Sequence, residues 1–354
     1  MKKQYNLLII LFLIPFLGFS KNGDLEFTKQ KNINKAYFVN SDAGINIDNS
    51  YGNITVSTWD EDKVELDILI KVSGDSEKWV NQRINDIDVD ISALKTMITA
   101  QTMITNSSFY NNGNNNSFEI NYVIKIPKNG TVKLNNKYGD IFSSDLNGNA
   151  NVDCKYGKIA LGKLNGNKND IILGYCPNSS IDFLKNGAVN AKYSGLKINQ
   201  ATKLNLVSDY TDVSVTDCQN ISYICKYGKL KFQKINSIVG NGNYLTINIG
   251  ELLGNLKLET NYSNVTIEKI SENANSINIA SGYSDLKIGY DINFAFDFDL
   301  STKYADIRYD SDFNITNNEE TNNSKHINGF YKKKGVNFVT LSSKYGNIKL
   351  SKKQ

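Results

Sequence analysis

Asp285 and Asp306 stand twenty-one residues apart, each followed two residues later by a base, Lys287 and Arg308. If successive segments of the chain stack as strands, these carboxylates lie one strand spacing apart, where a pair can bind Ca²⁺ or act as acid and base on a glycosidic bond. The bases two residues away compensate them equally well as an exposed charge ladder, and no Gly-Gly-x-Gly-x-Asp repeat for calcium is present. The one histidine, His326, stands in a polar stretch, so multi-histidine metal sites are excluded, and Ser-His-Asp chemistry is confined to what that imidazole reaches. Cys154, Cys176, Cys218 and Cys225 form no CxxC pair and have no histidine partner, which argues against zinc. No phosphate-binding loop, dinucleotide fingerprint, GxSxG elbow or nucleic-acid module occurs. The sequence therefore nominates no catalytic, cofactor-binding or metal-ligating residue, and no cofactor.

A different chemistry, anion recognition, is suggested by Lys137, Lys155, Lys192, Lys226, Lys303 and Lys344, each of which immediately precedes a tyrosine. In a stacked structure they would form a stripe able to meet anionic glycans or lipopolysaccharide. The plainer reading is that lysine keeps an exposed strand soluble.

What would position these residues is a short box, Tyr-small-polar-aliphatic. Its tyrosines are Tyr51, Tyr138, Tyr156, Tyr175, Tyr193, Tyr210, Tyr227, Tyr244, Tyr262, Tyr283, Tyr304 and Tyr345. The clearest copies are Tyr51-Gly52, Tyr138-Gly139, Tyr156-Gly157, Tyr227-Gly228 and Tyr345-Gly346, each followed by a polar and then an aliphatic residue. With the tyrosine as zero, position −4 is apolar or aromatic except at Gly240, and +3 is Ile, Leu or Val except at Asn178. Alternation of period two marks half-buried strands. The apolar parity slips at the box, as it does where a chain turns a corner, and Gly at +1 is expected to supply the freedom for that corner. The tyrosines share the parity of the apolar −4 position, which predicts inward-facing rings stacked at the corner.

Two short strands, a corner and an Asn/Gly-rich turn in 17–21 residues, repeated, predict an all-β, single-stranded β-solenoid. Eleven boxes from Tyr138 onward imply a rod on the order of 50 Å. Cys154 and Cys225 then lie four coils, roughly 19 Å, apart, beyond disulfide reach, which favours buried free thiols over one disulfide.

Composition agrees. The 354 residues are 40% hydrophobic and 21% charged, which excludes disorder and collagen. A net charge of +4, or +2 without Lys2 and Lys3, does not point to nucleic acid. Lys2-Lys3, the apolar run Leu7–Phe19 and the small residues Gly18 and Ser20 read as an export signal cut after Ser20. Export places the mature chain in the periplasm, at the outer surface or outside the cell, without a later membrane span.

Three regions result: a signal at 1–20, a first coil with capping β elaboration at 21–130, and a solenoid at 131–354 with a loop insertion at about 310–337. In the second, strands are expected at 64–70, 86–94, 96–104 and 118–126. A short helix is capped by Asp75-Ser76 and carries Trp79, Val80, Ile84 and Ile87. The elaboration would cover the open edge of the first coil, and the basic ending Lys352-Lys353 would discourage pairing at the last.

The run Ile47-Asp48-Asn49-Ser50-Tyr51-Gly52-Asn53-Ile54, the entry Ile126-Pro127-Lys128-Asn129-Gly130 and the closing Leu341-Ser342-Ser343-Lys344-Tyr345-Gly346-Asn347-Ile348 resemble the "putative adhesin" β-solenoid family of exported Gram-negative proteins. The resemblance implies an exported, non-enzymatic β-solenoid and supplies no ligand and no functional residue. The reading of the whole sequence is a monomeric adhesin-like or scaffolding module that contacts envelope glycans, extracellular glycans or a surface protein. The rivals are a carbohydrate-active β-helix lyase or hydrolase using Asp285 and Asp306, and an element that self-assembles through its ends.

Overall fold

The computed structural model describes residues 27–105 and 115–353; the expected signal at 1–20 and the Asn-rich stretch 106–114 lie outside the described residues. Among the described residues the fold is all-β apart from one helix, and the strands share one open hydrogen-bonded network that does not close into a barrel.

Residues before the long series of boxes form β1 (Phe27–Phe38), β2 (Gly44–Ser50), β3 (Ile54–Trp59), β4 (Lys63–Gly74), α1 (Glu77–Asp86), β5 (Ile87–Ala93), β6 (Met97–Ile104) and β7 (Ser117–Pro127). Helix α1 starts where expected, with the Ser76 side chain accepting from the Trp79 amide and Val80 buried beneath it. Strands β6 and β7 lie parallel to β2 and β3, so the first box unit has neighbours on its outer side.

From there the units stack in register on two parallel ladders. Before each box, Ile47 stands opposite Leu134, Leu134 opposite Val152, and Val152 opposite Ile171. After it, Ile54 stands opposite Ile141 and Ile141 opposite Ile159. The apolar −4 and +3 positions are buried along the whole series, forming one continuous core.

The corner is made differently from the sequence expectation. All twelve box tyrosines have φ between 47° and 63°, the left-handed region, whereas the glycines after them do not. A bulky residue there costs roughly 1–2 kcal/mol. The conformation preserves pairing through the bend: Tyr138 N donates to Lys155 O at 2.9 Å, Tyr175 N to Lys192 O at 3.0 Å, and Tyr193 N to Asp209 O at 3.1 Å.

Gly at +1 answers to space. A Cβ on Gly139 would collide with the Gly52 carbonyl, and one on Gly157 with the Gly139 carbonyl. Other units carry a hydroxyl there and use it twice. Ser194 Oγ accepts from Cys176 N and donates to Lys192 O; Ser263 Oγ accepts from Leu245 N and donates to Asn261 O; Ser284 Oγ accepts from Ser263 N and donates to Gly282 O.

The two exceptional units have local causes. In Cys176-Pro177-Asn178, Asn178 adopts a second left-handed conformation (φ 58°) and adds one residue, so Ala160 faces Ser180 and Leu184, not Phe183, enters the core. At Gly240 the missing side chain is replaced by the Tyr223 ring, whose Cζ occupies the place of a Cβ. Tyr223 is buried and its hydroxyl has no partner among the described residues. Tyr223→Phe should therefore raise stability by about 1 kcal/mol, since an unpaired buried hydroxyl costs about that much. A fall in the denaturation midpoint would show that the hydroxyl is satisfied.

The C-terminal end departs most. The final unit, Phe338–Lys344 with Ile348–Lys353, does not lie at the end of the series. It is inserted between Ser276–Asp291 and Phe296–Arg308: Ile279 faces Leu341, which faces Leu300, and Leu286 faces Ile348, which faces Ile307. The strand carrying Lys352 and Lys353 is thus interior to the ladder. The expected loop at 310–337 is largely a hairpin, Asn314–Glu320 with Ser324–Tyr331, running antiparallel to Phe296–Lys303. A cluster including Tyr290, Phe296, Phe298, Phe313 and Tyr331 packs beneath it, tied by Tyr290 Oη donating to Asp310 Oδ2 at 2.9 Å.

Candidate functional site

Left-handed φ swings each box tyrosine out of the strand alternation, so the rings are not inward as the parity implied. They are 38–52% exposed. Consecutive rings stack with centroids 4.6–5.1 Å apart from Tyr51 to Tyr283, then on to Tyr345 and Tyr304. Such pairs contribute about 0.5–1.5 kcal/mol beyond burial, comparable to the backbone cost of the corner. Ring faces are spent on each other; ring edges and hydroxyls face solvent. Phe118 covers the Tyr51 end at 5.0 Å, and the Arg83 guanidinium lies 5.0 Å from the Phe118 ring.

The structure brings the box-preceding lysines into one file beside this column. Lys137 faces Lys155, Lys155 faces Gly174, and Gly174 faces Lys192; Asp209 separates Lys192 from Lys226; further along, Gly282 faces Lys344, which faces Lys303. All six lysines are exposed. Lys155 pairs with Asp153 at 3.8 Å, and the other five have no ion pair among the described residues. At the two ends Lys137 and Lys303 sit over their own tyrosines, at 4.9 and 5.3 Å.

The ladder face in front of this file is a shallow trough. One depression of about 440 Å³ opens at Gly174, walled by Tyr156, Tyr175 and Tyr193 and floored by Ile172 and Leu173. Another of about 470 Å³ opens at Gly282, lined by Ser281, Ser301, Ser342, Lys303 and Lys344 among others. Between them Val207, Ile224 and Val239 stand exposed on the same face. Sequence reasoning missed the trough. Its signals were Gly where other units carry Lys or Asn, and apolar residues at normally polar outward positions, −3 for Ile172, Val207 and Ile224 and −5 for Val239.

The carboxylate pair is not brought together. The inserted last unit separates Asp285 from Asp306, and both serve the backbone around it: Asp285 Oδ1 accepts from Asn347 N at 2.8 Å, and Asp306 Oδ1 from Ile307 N at 2.8 Å. Arg308 Nε bonds Asp306 Oδ2 at 3.3 Å. His326 is on a strand, 3.0 Å from Asp299 Oδ1.

All four cysteines are buried and free, with the Cys176 thiol donating to Cys154 O at 3.1 Å. Burial pushes the Cys218 thiol up to about 12 and the Cys225 thiol up to about 11. Contact with Cys176, then burial, raises Cys154 as well. No cluster of metal-ligating side chains occurs among the described residues, and no helix among them is long and apolar enough to cross a membrane.

No protein-family model and no curated protein sequence matches the chain. Among solved structures it is similar to bacterial proteins described as putative adhesins. One, a putative cell adhesion protein from Clostridium sporogenes, is 10% identical, with 92% of this chain and 100% of that one covered at a TM-score of 0.20. Putative adhesins from Parabacteroides distasonis (9% identity, 71% and 92% covered, TM-score 0.37) and Parabacteroides merdae (11%, 93% and 97%, 0.32) are two more. At these TM-scores the likenesses carry no argument about ligand or role.

Proposed function

We propose that this chain is an exported, adhesin-like β-solenoid whose trough and lysine file hold an anionic glycan at the bacterial envelope or surface. In this reading the box units wind as successive coils from residue 131, on a first coil and elaboration at 21–130. Leu7–Phe19 is the export signal. The observation that carries it is the exposed file of six lysines, five without a carboxylate partner among the described residues, beside an unbroken aromatic column. A polyanion lying along that file neutralises charges that the fold leaves uncompensated. The covered ends support a monomer, because the hairpin and β6–β7 occupy edges through which copies would stack.

The test is binding of the purified protein to an array of acidic and neutral glycans, including lipopolysaccharide and peptidoglycan fragments. The expected result is saturable binding to acidic members that weakens with salt. The combined variant Lys155→Gln, Lys192→Gln, Lys226→Gln should lose about tenfold in affinity, about 1.4 kcal/mol, at unchanged melting temperature. Equal binding to neutral glycans, or release of oligosaccharide in the same wells, would overturn the reading.

A further inference from the structure

The two depressions share a design. In each, a glycine stands in the file where other units carry lysine or a polar residue, and lysines adjoin the gap: Lys155 and Lys192 on either side of Gly174, Lys344 and then Lys303 beyond Gly282. They lie along one file, beside a tyrosine column that is continuous from Tyr175 to Tyr283 through six ring contacts. Six strand steps put the two gaps roughly 29 Å apart.

We infer that Gly174 and Gly282 open two subsites for one linear, carboxylate-bearing polysaccharide, so that the protein grips a polyuronate bivalently. This rests on the reading of the face as an anionic-glycan surface and adds where the chain is held. Each gap admits one pyranose ring beside an ammonium group: between Lys155 and Lys192 at the first, and between Lys344 and the Asn261 amide at the second, whose lining also includes the Glu259 carboxylate. At the first, Ile172 offers an apolar floor to the C–H face of the sugar; at the second, Ser281, Ser301 and Ser342 offer hydroxyls. An extended 1,4-linked chain advances by about 5 Å per sugar, close to the strand spacing of about 4.8 Å, so its residues keep pace with the units beneath. Reaching from one gap to the other takes about seven sugars. The exposed apolar stretch at Val207, Ile224 and Val239 lies under the bridge.

Bivalency predicts a step in affinity with ligand length. Oligouronates of two to five residues occupy one gap at a time, while those of eight or more occupy both and bind about 100-fold tighter through effective concentration. Filling either gap removes the step. Gly174→Gln is a clean blocking variant: its Cβ meets nothing closer than Lys155 Cγ at 3.4 Å. Gly282→Gln is the second, since its nearest contact is the flexible Asn261 amide oxygen at 2.6 Å. Titration of oligouronates of two to twelve residues against wild type and both variants, each checked for an unchanged melting temperature, reads the result. A step near seven residues, lost in both variants while short-oligomer affinity stays within about twofold, supports the inference. Affinity that rises by a constant factor per residue, alike in all three proteins, overturns the two subsites and leaves the lysine file as the binding element. No binding at any length overturns both.

Discussion

Gly139→Ala is expected to lower the stability of the protein by about 3 kcal/mol or more, at the upper end of what overpacking costs. The added methyl points at the Gly52 carbonyl of the preceding unit. That carbonyl cannot retreat freely, because Asn136 Nδ2 donates to it at 2.8 Å while also bonding the Asp140 carbonyl at 3.1 Å. Gly157 repeats the contact against Gly139, so displacing one corner disturbs the next. Gly174→Ala is the matched control, with ordinary van der Waals room, and should shift stability by no more than about 0.5 kcal/mol. Chemical denaturation of both variants decides the matter. Equal midpoints would mean that the units separate easily and that glycine is not needed for their close approach.

Removal of residues 338–354 should have a larger effect still. The inserted unit buries Val339, Leu341, Ile348 and Leu350. At about 1.5–3 kcal/mol for each fully buried side chain, their loss withdraws on the order of 6–12 kcal/mol, which rivals the whole stability of a typical domain. It also leaves Ser276–Asp291 and Phe296–Arg308 facing each other across a missing layer. In a stack where each unit contacts its neighbours, damage stays near its origin. Hydrogen exchange on the truncated chain should show protection lost from residue 276 through the hairpin and kept for the units from Tyr138 to Tyr244. Uniform protection across both regions, with a single unchanged melting transition, would refute the insertion.

Much of this architecture was legible because burial follows parity. The −4 and +3 positions named the core, and the Ser76 cap, α1 and the strands around it fell where local pattern put them. Parity failed at the tyrosines, because a left-handed residue rotates its side chain off the face that alternation assigns, and alternation carries no record of φ. Glycine was assigned flexibility where the structure uses it for closeness, a distinction that depends on the neighbouring unit. The order of the last units was illegible for another reason: every box has the same pattern, so sequence spacing could not say that Tyr345 lies between Tyr283 and Tyr304. Stacking Asp285 on Asp306 followed from that mistaken order. Polarity alone called 310–337 a loop, and exposed strands of a hairpin are just as polar.

The inserted unit also sets a timetable. Residues up to Tyr283 can add to the stack in the order in which they leave the ribosome, each on a finished neighbour. Phe296–Arg308 cannot, because its partner is the last stretch made. During the interval the edge at Ser276–Gly282 and the strand Phe296–Lys303 both wait, unprotected, for the stretch Phe338–Lys344 that pairs with each of them, a slow step that a series stacked in chain order would not have.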